Sequence, residues 1–183
     1  ASDVYKRQIQ IGVMGSCSDL NYSKEFEAIA EEVGYEVAQQ GAVLFFGAEK
    51  DFDSLSTAAC RGAKKAGGTT VGVTYGKGKD IVEENVDIII VSGMERGGGR
   101  ELNLVLSCDA IIAINGGSGT LTEMAIAYQA NIPIVAVTGT GGWADKMAGK
   151  YFDDRNRLMV EPAVNAKEAV EKAMELIAMI RDN

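Results

Sequence analysis

Two short stretches of this 183-residue chain hold the residues best suited to chemistry. The first is Asn115-Gly116-Gly117-Ser118-Gly119-Thr120-Leu121-Thr122-Glu123. Gly116, Gly117 and Gly119 let a backbone approach a ligand closely. Ser118, Thr120 and Thr122 add hydroxyl donors. An apolar run, 110–114, precedes the glycines and an amphipathic run follows them, with Leu121, Met124, Ala125 and Tyr128 on one helical face. Strand, glycine turn and helix start together make an anion site: the N–H groups of the first helical turn point at the ligand, and the helix dipole favours negative charge there. A carboxylate one turn in, Glu123, opposes an anion unless it acts on the group the anion carries. The second stretch ends in Gly97-Gly98-Gly99-Arg100. Arg100 supplies a fixed cation and a planar donor fork, and Glu123 supplies a base or a partner for developing positive charge. Each feature also has a plainer reading: a tight turn for the glycines, a solvated helix residue for Glu123, an exposed ion-pair partner for Arg100.

The elements that must position these residues alternate along the chain. Apolar runs at 9–14, 42–46, 69–74, 86–91, 110–114 and 132–137 read as strands, with a short edge strand at 158–160. Ile88-Ile89-Ile90 in a row suits a parallel strand buried on both faces. Helical spacing covers 23–40, capped by Ser23; 53–66, capped by Asp53; 100–108; 118–131; 143–150; and the segment after Asn165, with a helical turn at 81–85. Such alternation predicts an α/β, Rossmann-like doubly wound parallel sheet of six to seven strands with helices on both faces, in the order 3-2-1-4-5-6. Ligands of such sheets bind beyond the carboxyl ends of the strands at the switch in strand order. That brings the loops 15–19, 93–100 and 115–120 to one crevice, and adds Gly15 and Ser16 to the phosphate- or nucleotide-binding candidates Gly116, Gly117, Ser118, Gly119 and Thr120. Residues 1–8 carry no pattern and read as a disordered leader; residues 9–183 read as one domain.

Composition removes several function classes. There is no histidine, which excludes His-based triads, His general bases and His-ligated zinc. The three cysteines, Cys17, Cys60 and Cys108, are scattered, form no CxxC pair, and read as reduced thiols of a cytoplasmic protein. A formal charge of −8 opposes nucleic-acid binding. No apolar run approaches the roughly 20 residues of a membrane span. Gly15-Ser16-Cys17-Ser18 lacks the GxGxxG spacing, which argues against NAD.

The run from Asp109 through Gly116-Gly117-Ser118-Gly119-Thr120 to Glu123 resembles the PGGxGTxxE signature of the LOG ("lonely guy") family, long labelled lysine decarboxylases. Arg61 to Val73 resembles that family's second helix and third strand, and Arg100 matches its catalytic arginine. The layout is similar to the branch that includes the molybdenum cofactor carrier and to the DNA-processing Rossmann proteins, although the acidic charge weighs against the latter's activity. The resemblance implies a phosphoribohydrolase that releases the base from nucleoside 5′-monophosphates. The phosphate would sit at Gly116–Thr120, Glu123 and Arg100 would be catalytic, and no metal or cofactor would be required. The alternative it implies is a non-catalytic carrier of molybdenum cofactor or another phosphorylated pterin or nucleotide. A homodimer or homotetramer is expected through the helix carrying Leu102, Leu104, Val105 and Leu106. Three departures stand out. Asn115 replaces the family's proline, a change the loop is expected to tolerate. Gly47-Ala48-Glu49-Lys50-Asp51 replaces a glycine-rich loop. Glu101 replaces lysine after Arg100, and the loop before Arg100 is longer.

Overall fold

In the computed structural model, which describes residues 7–95 and 97–181, β1 (Gln10–Gly15), β2 (Val43–Ala48), β3 (Thr70–Thr74), β4 (Ile88–Val91), β5 (Ala110–Ile114), β6 (Ile134–Val137) and β7 (Val160–Ala163) form one parallel sheet. The helices are α1 (Lys24–Gln39), α2 (Leu55–Lys65), α3 (Gly99–Leu106), α4 (Ser118–Gln129), α5 (Gly142–Met147) and α6 (Ala166–Arg181). Each face of the sheet has its own core. Ile11, Val13, Leu44, Phe46, Ile112 and Ile114 meet α1, α2 and α6. Met14, Phe45, Val73, Ile111 and Ala113 meet α3, α4 and α5. Because alternate strand residues feed opposite cores, β1, β2 and β5 need apolar residues at nearly every position. The segment predicted as a helical turn at 81–85 contains only bends and turns.

The helix starts follow local chemistry. Ser23 caps α1 by accepting from the Phe26 N–H. Ser54, rather than the expected Asp53, caps α2 by accepting from the Thr57 N–H at 3.0 Å. Asp53 is engaged elsewhere: both its oxygens accept from Arg61, each at 3.1 Å. α1 and α2 touch backbone to backbone. A Cβ added at Gly34 would lie 1.8 Å from the Ala59 carbonyl oxygen, and one at Gly62 would lie 1.8 Å from that of Glu31.

The strand order is β4-β3-β2-β1-β5-β6-β7, which corrects the expected 3-2-1-4-5-6. β4 pairs with β3 at the sheet edge and not with β1. Ile88 and Ile90 are accordingly 50% and 39% exposed, where the unbroken apolar run predicts burial on both faces. The chain moves outward through four successive strands, and α3 then carries it back across the sheet to β5, beside β1. The switch in strand order therefore lies between β1 and β5. Asp109, just before β5, ties the far end of this seam: it accepts from the Gln10 N–H at 2.9 Å and pairs with Arg7 and Arg181. Of the leader expected at 1–8, residues 1–6 lie outside the described residues, while Arg7 makes that ion pair. No described helix is long and apolar enough to cross a membrane.

Candidate functional site

Beyond Ile114 the chain turns through Asn115, at φ 56°, and Gly116, at φ 101°, before α4 begins at Ser118. The second angle suits only glycine, and the first is one that asparagine tolerates better than most residues. Asn115 is also the keystone of the loop. Its Oδ1 accepts from the Ser16 hydroxyl at 2.6 Å and from the Gly116 N–H at 2.7 Å. Its own N–H donates to Thr140 Oγ1 at 2.8 Å, and its Nδ2 donates to the Thr140 carbonyl. Three strand ends, those of β1, β5 and β6, are thereby locked together. A proline cannot take Asn115's place, because it has no N–H and its φ is fixed near −65°. The departure from the family signature is thus a different construction of the loop, in which asparagine is fully accommodated.

Gly117, Ser118, Gly119 and Thr120 line a cleft of about 210 Å³, together with Gly15, Arg100 and Glu123. The N–H groups of the first turn of α4 have no acceptor within the helix and are available to an anion. Ser16 and Gly116 stand behind the wall, where the Ser16 hydroxyl also accepts from the Gly116 N–H at 3.0 Å. Thr122 points elsewhere: its hydroxyl donates to the Ser118 carbonyl at 3.0 Å, and it borders a separate groove with Leu121 and Ala125. α4 is apolar on two sides. Met124, Ala127 and Tyr128 enter the core, while Leu121 and Ala125 face that groove instead of sharing the core face.

Arg100 and Glu123 lie near the starts of two helices that pack against each other, and both are buried. Arg100 Nη2 donates to Glu49 Oε1 at 3.1 Å and to the Tyr75 hydroxyl. The Tyr75 ring lies under the guanidinium, with Cζ 4.1 Å from its centroid. Glu101 approaches the same guanidinium at 3.5 Å, accepts from the Gly98 N–H at 3.1 Å, and accepts from the Tyr75 hydroxyl. Three carboxyl groups thus surround one cation, each no more than 6% exposed. Glu123 and Glu101 are shifted in opposite directions for physical reasons. Burial pushes Glu123 up to about 7; the positive charge of Arg100 opposes this, and Glu101 and Glu49 reinforce it. Burial also pushes Glu101 upward, but the hydrogen bond from Tyr75 and the nearby N–H groups and Arg100 bring it below its ordinary value. Burial lowers Arg100, yet Glu123, Tyr75 and Glu49 hold it above its ordinary value and keep it charged. Glu123 is therefore the carboxyl that exchanges a proton near neutrality, which suits acid–base work.

Of the expected site residues, Gly15, Arg100, Gly117, Ser118, Gly119, Thr120 and Glu123 meet on one cleft, and Ser16 and Gly116 brace it. Sequence reasoning missed Glu49 and Tyr75, together with Phe52 on the cleft wall; Cys17 and Asp19 also line the cleft, from the loop 15–19 expected at the crevice. Glu49 lay in the strand-2 loop already marked as a departure from the family pattern; nothing local distinguished Tyr75. No group of three or more His, Cys, Asp or Glu among the described residues has the arrangement of a metal site.

The chain matches the SLOG cluster4 family over residues 8–171. It is 37% identical to an uncharacterised protein of Archaeoglobus fulgidus over 123 residues, which cover 66% of this chain and 74% of that protein. Its fold is similar to that of the molybdenum cofactor carrier protein of Chlamydomonas reinhardtii, with TM-score 0.79, 32% identity, and 94% and 99% of the two chains covered. It is also similar to the molybdenum cofactor binding protein of the phototrophic bacterium Rippkaea orientalis, with TM-score 0.78, 29% identity, and 93% and 98% covered. With its glycine-rich loop, its arginine and its glutamate placed on one cleft, the chain belongs to the SLOG cluster4 family, a LOG-like group whose fold it shares with molybdenum cofactor carrier proteins.

Proposed function

We propose that the cleft between the ends of β1 and β5 binds a phosphorylated small molecule, and that its cargo is molybdenum cofactor or a closely related phosphorylated pterin. The observation that carries this reading is one cleft with the open N-terminus of α4 at Gly117–Thr120 and a buried cation, Arg100, on its wall. The backbone N–H groups and hydroxyls of that loop suit a phosphate. Likeness to two molybdenum cofactor proteins supports the pterin. Glu49 favours holding over turnover: it stands in the loop where LOG enzymes have glycines, and it occupies Arg100 at 3.1 Å. An arginine already paired with carboxylates has less field to lend a developing charge. The test is direct. Protein purified from cells that make the cofactor is acid-denatured, and the released pterin is measured by fluorescence; Gly119→Asp should abolish co-purification. Release of no pterin, combined with no thermal shift from any nucleoside 5′-monophosphate, would sink the reading.

A second reading, hydrolysis of the N-glycosidic bond of a nucleoside 5′-monophosphate, is favoured by one specific observation. Glu123 is buried beside a charged arginine, with its proton exchanging near pH 7. In that reading Glu123 and Arg100 orient water and stabilise the oxocarbenium-like sugar. Chromatography for free base after incubation with a nucleotide panel decides it: release that Glu123→Ala abolishes establishes hydrolysis, and release from none leaves the carrier. Both readings carry the cytoplasmic location and the homo-oligomeric state expected from the sequence. For the latter, the apolar groove between α3 and α4, about 630 Å³ and lined by Leu102, Leu106, Leu121, Ala125 and Ile126, offers a self-complementary face.

A further inference from the structure

We propose that Tyr75 is a positioning residue for Arg100: its ring and hydroxyl, with the bare backbone of Gly47, fix the guanidinium on the wall of the cleft. The proposal rests on the reading that this cleft takes a ligand, but its geometry is independent of which one. An arginine on a helix has four side-chain torsions, and holding it in one pose carries an entropic penalty that its surroundings must offset. Here the guanidinium is set by two neighbouring strand ends, those of β2 and β3. Tyr75, the residue after β3, covers one face at 4.1 Å and accepts from Nη2. Gly47, near the end of β2, makes room for Nη1: a Cβ there would lie 1.6 Å from it, so any larger residue would push the guanidinium away. Glu49, two residues on, takes Nη2 as well.

The Tyr75 hydroxyl has one proton, and its destination decides what the oxygen can do for Arg100. That proton goes to Glu101, which is itself fixed by the Gly98 N–H at the start of α3. The lone pairs of the hydroxyl are therefore left for the arginine. The chain of donors runs from Arg100 to Tyr75 to Glu101, and it requires a carboxylate at 101: a lysine, which has no acceptor, could not receive the tyrosine proton. The departure from the family pattern at Glu101 and the tyrosine at 75 thus form one device. Nε of Arg100, buried and with no hydrogen-bond partner, is the donor the device leaves over, and an acceptor on a bound molecule would satisfy it. Tyr75 also borders a second cavity of about 440 Å³, lined by Lys50, Asp51 and Lys77, so its ring forms part of the partition between the two spaces.

The test uses nitrogen-15 NMR of the full chain, with the Arg100 side-chain signals assigned by their loss in Arg100→Lys. Wild type is expected to show a slowly exchanging Nε–H and separate Nη–H signals, the signature of a guanidinium that does not rotate. Tyr75→Phe keeps the ring and the partition but removes the acceptor, and should collapse those Nη–H signals while the melting temperature stays within a few degrees. Gly47→Ala, which leaves Tyr75 untouched, should do the same by displacement. Calorimetry with 5′-AMP as the probe should show binding weakened about tenfold in Tyr75→Phe, the expectation for one lost hydrogen bond to a charged group. Persistence of the restricted Arg100 signals in Tyr75→Phe overturns the proposal. Collapse of the signals in a protein whose wild type binds neither 5′-AMP nor pterin supports the proposal and overturns the binding reading instead.

Discussion

At the scale of single residues, Glu123 and Asn115 carry the most specific consequences. Burial raises the Glu123 carboxyl from 4.5 to about 7 in the folded chain. Between those values the folded state holds a proton that the unfolded state has released, so stability falls as pH rises through this window and the full penalty is present above it. The size is about 1–3 kcal/mol, given the solvation and coupling involved. Glu123→Gln should therefore melt close to wild type at pH 4.5 and roughly 3–10 °C above it at pH 8.5; an equal difference at both pH values would show that the carboxyl is not desolvated. Asn115 is argued from backbone geometry. Asn115→Pro removes the N–H that Thr140 accepts and demands a φ far from the observed 56°, so urea unfolding should register a loss of about 3 kcal/mol or more. Asn115→Gly keeps the backbone angle and loses only side-chain bonds, with an expected loss of about 1–2 kcal/mol. A proline variant as stable as the glycine one would mean that the loop can adopt the family's other construction. The glycine–hydroxyl signature and the Arg100/Glu123 pair were legible in the sequence, because a strand, a glycine turn and a helix start are a local backbone pattern. Glu49 and Tyr75 were not, because they reach Arg100 from 51 and 25 residues away and no local pattern marks such a meeting.

At the scale of elements, α1 and α2 are held at a separation that only glycine permits. The Cβ of Gly62→Ala would enter the Glu31 carbonyl at 1.8 Å, so one helix must move. Overpacking of this kind costs about 1–3 kcal/mol and sometimes more, read as an earlier urea midpoint with an unchanged slope. Gly119→Ala is the matched control: a Cβ there meets nothing within 4 Å, and its stability should be unchanged or slightly raised. A Gly62→Ala variant as stable as Gly119→Ala would show that the two helices can part to admit a methyl group. The number and type of strands and most helix starts could be read from apolar runs and capping residues. The β4 position could not. Ile88-Ile89-Ile90 has the composition of a central strand, and its place at the edge follows from its pairing with β3, which is a long-range choice.

At the scale of the whole molecule, the exposed groove of α3 and α4 and the buried site share two helices. If copies of the chain associate through this groove, Leu106→Glu places a charge in the contact, and light scattering should show a smaller mass than wild type while the melting profile of each chain changes little; an unchanged mass would mean that this groove is not an interface. The sequence by itself determined the class of the fold, the glycine-rich turn between strand and helix and the candidates Arg100 and Glu123, because periodicity, glycine placement and helix capping are short-range properties written in neighbouring residues. Only the tertiary structure decided that β1 meets β5 while β4 goes to the edge, that Asn115 locks three strand ends, and that Glu49, Glu101 and Tyr75 converge on one guanidinium. The physical reason is that burial and charge are set by what surrounds a residue. A carboxyl at position 123 is an ordinary glutamate in the sequence, and becomes a group titrating near 7 only when the fold removes its water and places Arg100, Glu101 and Glu49 around it.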